Sequence, residues 1–192
     1  HEFSMIAVQG PMAAEILNSI MNSNISKIKR FSLVDAKIGN TPILLARTGY
    51  TGENGYEIIV PSEHATSVWM RLLDAESSPC GLGSRDVLRL EAGLPLHGND
   101  ISIATNPYEA RLDRFVDPDR DEYCARQSLN AIRLTGPERV LVGFRMIERG
   151  IARQHHNIVD DGEIVGKVTS GTYSPTLDMN IGLGYVPIGD SS

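Results

Sequence analysis

Cysteine, tryptophan and clustered positive charge are all scarce in this chain. Its 192 residues include two cysteines, Cys80 and Cys124, and one tryptophan, Trp69. Two isolated cysteines cannot build a disulfide framework or a thiolate metal site, so both are expected as free thiols in a reducing compartment. The adjacent histidines His155 and His156 stand in a loop-like stretch. On a strand they would point to opposite faces, which makes a poor chelate, and no metal is expected. Net charge is −6, and the densest basic stretch is Lys27-Ile28-Lys29-Arg30. That balance argues against an electrostatic grip on nucleic acid. No apolar stretch reaches the length a membrane-spanning helix needs, so no membrane partner is expected. Internal repeats and low-complexity tracts are absent as well.

What is present reads as a soluble α+β protein. The hydrophobic fraction of 41% and charged fraction of 22% are ordinary, and the length has room for one medium or two small domains. Pro11 to Met21 carries apolar residues at helical spacing behind a proline. Strands are predicted at Phe31–Ala36 and Pro42–Arg47 around a Gly39-Asn40 turn, with a third at Gly55–Val60. A second helix is predicted from Ser62, with Ala65, Val68, Trp69, Leu72 and Leu73 facing the core. Trp69 is thus expected in the core rather than on a binding surface. Around Asp117-Pro118-Asp119-Arg120-Asp121-Glu122 the chain becomes a charged loop or linker. Beyond it come short strands at Val140–Met146, Asn157–Val159, Glu163–Ser170 and Ile181–Val186, with a turn at Asp160-Asp161-Gly162. That is how a small antiparallel barrel begins. The expected fold is an antiparallel sheet with packed helices over 1–116, a linker over 117–138, and part of a C-terminal β-barrel over 139–192.

Residues 47–57, Arg-Thr-Gly-Tyr-Thr-Gly-Glu-Asn-Gly-Tyr-Glu, are the most informative stretch. Three glycines interrupt an apolar, β-branched neighbourhood and are expected to bring Tyr50, Glu53 and Glu57 together. Glu57 borders the apolar run Ile58-Ile59-Val60. An ionised carboxylate there suits a planar ligand with two N–H donors. On the residues alone, a hairpin with a solvated glutamate is the plainer reading.

The second informative stretch is Gly81-Leu82-Gly83-Ser84-Arg85-Asp86-Val87-Leu88-Arg89-Leu90-Glu91-Ala92-Gly93-Leu94-Pro95. Ser84 is a candidate N-cap and Asp86 suits the positive end of a helix. Gly93 and Pro95 mark its end. Arg85 falls in the first turn, against the dipole preference. Either it pairs with Asp86 or Glu91, or it addresses an anionic ligand.

Taken with Ala7-Val8-Gln9-Gly10-Pro11 near the start and Val168-Thr169-Ser170-Gly171-Thr172-Tyr173-Ser174-Pro175-Thr176-Leu177 near the end, these stretches occur in an order that resembles the aminomethyltransferase, or T-protein, family of the glycine cleavage system. The resemblance implies a tetrahydrofolate site lined by Tyr50, Glu57 and Arg85. Glu57 would read the amidine-like edge of the pterin, Tyr50 would pack beside it, and Arg85 would supply a planar cation. The implied reaction moves a one-carbon unit from an aminomethyl group on the lipoyl arm of a carrier, the H-protein, to tetrahydrofolate, with release of ammonia. The family's catalytic aspartate has no match here, so no catalytic residue is assigned. The chain is expected to be a fragment, inactive as it stands. The parent would be cytoplasmic if bacterial, and in the mitochondrial matrix if eukaryotic.

The wider folate-dependent superfamily keeps two alternatives open: a folate domain of a dimethylglycine- or sarcosine-oxidising enzyme, and a non-catalytic folate-binding protein. Three departures from the family pattern bear on this. His97 stands where tyrosine is common. Arg111 replaces a glycine, and Tyr123-Cys124-Ala125-Arg126-Gln127-Ser128-Leu129 is a degenerate form of Phe-Ile-Gly-Arg-Glu-Ala-Leu.

Overall fold

A computed structural model describes residues 2–21 and 24–190. The chain forms two compact units, residues 1–88 and 89–192, and the boundary falls inside one helix. Among the described residues no helix is long and apolar enough to cross a membrane.

The first unit is an antiparallel sheet of four strands, β1 (Phe3–Gln9), β2 (Leu33–Ile38), β3 (Thr41–Ala46) and β4 (Gly55–Pro61), in the order β1-β4-β3-β2. Side chains alternate between its faces. Ile6 and Val8 of β1, Ile43 and Leu45 of β3, and Tyr56, Ile58 and Val60 of β4 form one apolar face. Helices α1 (Ala13–Ile20) and α2 (Ala65–Asp74) contribute Ala13, Leu17, Val68 and Leu72 to the same core. Burying each large aliphatic side chain there contributes about 1.5–3 kcal/mol.

Strand β1 lies outside the sequence-based expectations. It makes β4 an interior strand, which explains the unbroken run Ile58-Ile59-Val60. The β2–β3 hairpin turns at Gly39-Asn40, with Gly39 at a φ of +59°, as a two-residue turn with leading glycine uses. Helix α1 starts two residues after Pro11, because the Ala13 N–H closes a turn onto the Gly10 carbonyl. Helix α2 is preceded by a single tight turn over Ser62–His64. Trp69 is not a core residue: it is 41% exposed, because Val68 and Leu72 occupy the centre of the helix's buried stripe.

Helix α3 (Leu82–Glu91) begins earlier than the sequence suggests. The Ser84 N–H bonds to the Gly81 carbonyl, so Ser84 lies inside the first turn and does not cap the helix. Gly93, at a φ of +67°, then reverses the chain.

The second unit is an antiparallel sheet of β5 (Arg139–Arg145), β6 (Asn157–Asp160), β7 (Glu163–Ser174) and β8 (Met179–Pro187), in the order β5-β8-β7-β6. The β6–β7 hairpin turns at Asp161 and Gly162, both with positive φ, as a two-residue primed turn requires. Helix α4 (Arg126–Thr135) lies within the stretch read as a linker, and none of its residues is buried. The core holds Leu90, Leu141, Leu183 and Tyr185 beside a buried ion pair, Arg89 to Asp100 at 2.6 Å. The hydroxyls of Thr169 and Ser170 and the Leu96 N–H also donate to Asp100. Its charge is therefore fully solvated by protein groups, the condition under which a buried pair is tolerated.

Candidate functional site

In the first unit, Tyr50, Glu57 and Arg85 line one cavity of about 680 Å³. Glu57 projects from β4 on the face opposite the helices. The register places Ala7 and Ala46 on either side of it, and Met5, Ile59 and Leu44 in the next row. Small neighbours leave the half-buried carboxylate standing clear above a flat, apolar floor. That combination suits the edge of a planar ligand, whose ring lies on the floor while its donors meet the carboxylate.

Tyr50 comes from the loop joining β3 and β4. Arg85, in the first turn of α3, lies over the Tyr50 ring with its guanidinium 4.5 Å from the centroid. The other carboxylate offered to Arg85 by sequence, Glu91, instead accepts a hydrogen bond from Ser174 at 2.6 Å. Glu53 does not join the group. Gly52, at a φ of +78°, turns the loop back, and Glu53 beyond it is exposed and outside the cavity wall.

Sequence reasoning missed what two of the three glycines do. They make room for Gln9 and not for a ligand. A Cβ on Gly49 would stand 1.9 Å from the Gln9 Oε1, and one on Gly55 would stand 2.2 Å from it. Gln9 donates through Nε2 to the carbonyls of Thr48 and Tyr56, and its Oε1 accepts from the Thr51 hydroxyl. The Gln9-Gly10-Pro11 and glycine-loop motifs are thus one structure, in which a side-chain amide pins the loop that carries Tyr50. Trp69, Cys80 and Ser77 also line the cavity, and the Ser77 hydroxyl is buried without a partner among the described residues. The signal for Trp69 was present in its position at the flank of the apolar stripe.

A second cavity, of about 730 Å³, lies in the C-terminal unit and is lined by residues such as Phe144, Ile158, Val168 and His156. It holds little convergent polar chemistry. Among the described residues, no group of three or more His, Cys, Asp or Glu side chains is arranged to hold a metal, and Cys80 and Cys124 are free and exposed.

An α+β unit with a polar-edged cavity, joined to a small antiparallel sheet unit, is the class of protein that fold and site define. The profile of the GCVT N-terminal domain matches residues 1–120, and that of the glycine cleavage T-protein C-terminal barrel domain matches residues 139–192. The chain belongs to the glycine cleavage T-protein family. It is 42% identical over 190 residues to the aminomethyltransferase of Desulfitobacterium hafniense, covering 97% of this chain and 52% of that protein. The aminomethyltransferase of Symbiobacterium thermophilum is 44% identical over 199 residues, covering 100% of this chain and 53% of its own. The crystal structure of glycine cleavage system aminomethyltransferase T from Bartonella henselae matches with a TM-score of 0.89 at 33% identity. That match covers 97% of this chain and 52% of that one. The chain spans about half the length of the curated relatives it matches.

Proposed function

We propose that this chain carries the tetrahydrofolate site of an aminomethyltransferase. The whole enzyme would take an aminomethyl group from the lipoyl arm of the H-protein, release ammonia and pass the one-carbon unit to tetrahydrofolate. In this reading Glu57 accepts the paired N–H donors of the pterin and fixes its orientation. Tyr50 packs beside the ring, and Arg85, held over Tyr50, places positive charge at the cavity. Gln9 positions the loop. These groups bind and orient, and none is assigned the proton transfer. Catalysis would then rest largely on holding two reactants in register.

The observation that supports this reading is the convergence of Tyr50, Glu57 and Arg85 on one cavity, with Glu57 flanked by alanines on a flat floor. Calorimetry with tetrahydrofolate on the wild-type chain and on Glu57→Ala tests it. Losing two charge-assisted hydrogen bonds is expected to weaken binding by on the order of 100-fold. Cys80 lines the cavity, whereas Cys124 does not, so bound ligand should slow alkylation of Cys80 alone. Affinity unchanged in Glu57→Ala would remove Glu57 from the site. A folded wild-type chain that binds nothing would overturn the reading for this chain.

A further inference from the structure

We propose that the free edge of β1 is a homodimer interface, where β1 of a second copy of this chain adds antiparallel and joins the two sheets into one of eight strands. The proposal is independent of the folate reading, because pairing uses the outward edge of β1 and not Glu57 on β4.

The Ser62 N–H donates to the Glu2 carbonyl and the Gly10 N–H to the Asn54 carbonyl, which sets the parity of the β1–β4 ladder. Even-numbered residues of β1 exchange hydrogen bonds with β4. Phe3, Met5, Ala7 and Gln9 therefore turn their backbone N–H and C=O groups to the open edge. Met5, Ile6, Ala7, Val8 and Gln9 all line the cavity of about 680 Å³. Consecutive residues point to opposite faces, so that cavity follows the edge of the strand. Met12 and Trp69 flank it on the helix side and Met5 on the other, at 54%, 41% and 63% exposure. Such a groove receives a strand, whose backbone extends the ladder while its side chains meet apolar surface on both sides. The other sheet edges are guarded against this. Strand β2 carries Asp35 and Lys37, β5 is bounded by Arg139 and Arg145, and β6 is four residues long with a register shift after Ile158. Strand β1 has no charged residue, proline or bulge. It is also self-complementary. A two-fold axis at Ile6 sets Met5 against Ala7, and Phe3 against Gln9, of the second copy. Every outward residue is then paired, and no charge enters the seam. A specific interface buries at least about 1,000 Å² in total, and two strands of seven residues with these flanking side chains fall near that bound. A dissociation constant on the order of 10 μM is expected.

Sedimentation equilibrium on the wild-type chain, over a concentration series around that value, reads the association. The expected mass rises from 21.0 kDa toward twice that. Met5→Lys puts a charge on the open edge and should weaken the dimer at least about tenfold, whereas Val159→Lys on β6 should leave it unchanged. Residue-resolved amide hydrogen exchange reads the register. The Met5 and Ala7 amides should gain protection as concentration rises, while those of Ile6 and Val8, bonded to β4, stay protected throughout. Glu57→Ala should associate like the wild type, so tetrahydrofolate binding and association can fail separately. A chain that stays monomeric overturns the proposal, as does an oligomer that Met5→Lys does not weaken. If Met5→Lys does not fold, exchange in the wild type decides: concentration-dependent protection at Met5 and Ala7 upholds the pairing, and its absence overturns it.

Discussion

The amide oxygen of Gln9 stands 1.9 Å from where a Cβ on Gly49 would be. The two residues therefore exclude any side chain at position 49 while Gln9 keeps its place. Gly49→Ala must displace Gln9 and break its bonds to Thr48, Tyr56 and Thr51. A cost of about 1–3 kcal/mol is expected, read as a lower urea midpoint at unchanged slope. Gln9→Ala combined with Gly49→Ala should cost less than the two single changes together, because the clash is then gone. Strict additivity would show that Gln9 is not the obstacle.

Arg85 and Tyr50 make a second specific pair, with the guanidinium over the ring. Arg85→Lys keeps the charge but loses the planar group that lies flat on an aromatic face. Tetrahydrofolate affinity is expected to fall by about two- to tenfold, while Arg85→Ala falls further. Calorimetry at two salt concentrations separates the contributions, since simple charge attraction is screened and stacking is not. A lysine variant equal to wild type at both concentrations would reduce Arg85 to a point charge.

Which features were legible in the sequence depends on how local their causes are. The Asp161-Gly162 turn was, because positive φ at consecutive residues is a demand that asparagine, aspartate and glycine meet locally. The four C-terminal strands were legible for the same reason. Strand β1 was not: Met5, Ile6, Ala7 and Val8 are apolar without a break, so the period of two was hidden until β4 was seen to pair with it. The role of Gln9 could not be read, because its partners lie 39 and 47 residues away. Trp69 was placed in the core because helical periodicity marks the width of a stripe and not how much of it is covered. Glu57, Tyr50 and Arg85 were singled out through motif resemblance. Their meeting at one cavity depends on a loop and a helix that no local pattern relates.

Two departures from the family pattern fall on left-handed backbone. Arg111 has a φ of +54° and Ala125 a φ of +65°, and both stand where the family pattern has glycine. A Cβ in that region costs roughly 1–2 kcal/mol. At Ala125, the residue before α4, its cap position makes no side-chain hydrogen bond. Ala125→Gly is therefore expected to stabilise by about 1 kcal/mol after the greater unfolded-state freedom of glycine is counted. Arg111 differs, because its Nε donates to the Leu141 carbonyl at 2.9 Å. Losing that bond offsets the relief, so Arg111→Gly is expected within about 0.5 kcal/mol of wild type. Urea unfolding of both variants checks the contrast, and equal gains would deny Arg111 its compensating bond.

Tyr185 gives the C-terminal unit an alkaline limit. Its side chain is buried, its hydroxyl donates to the Asp100 carbonyl at 2.8 Å, and the Arg139 guanidinium lies 4.6 Å from its ring centroid. Burial pushes the phenol up to about 12, a shift that Arg139 opposes and Glu109 reinforces. An unfolded tyrosine titrates near 10. Between those values the unfolded chain releases the proton and the folded chain keeps it, so stability falls as pH rises. Below about 10 the contribution is fully present. Tyr185→Phe lacks the titrating group and loses one hydrogen bond, about 1 kcal/mol. Wild type should therefore exceed Tyr185→Phe in urea midpoint at pH 9, with the gap closing between about pH 10 and 12. A gap that stays constant across that range would show that Tyr185 titrates alike in the folded and unfolded chains.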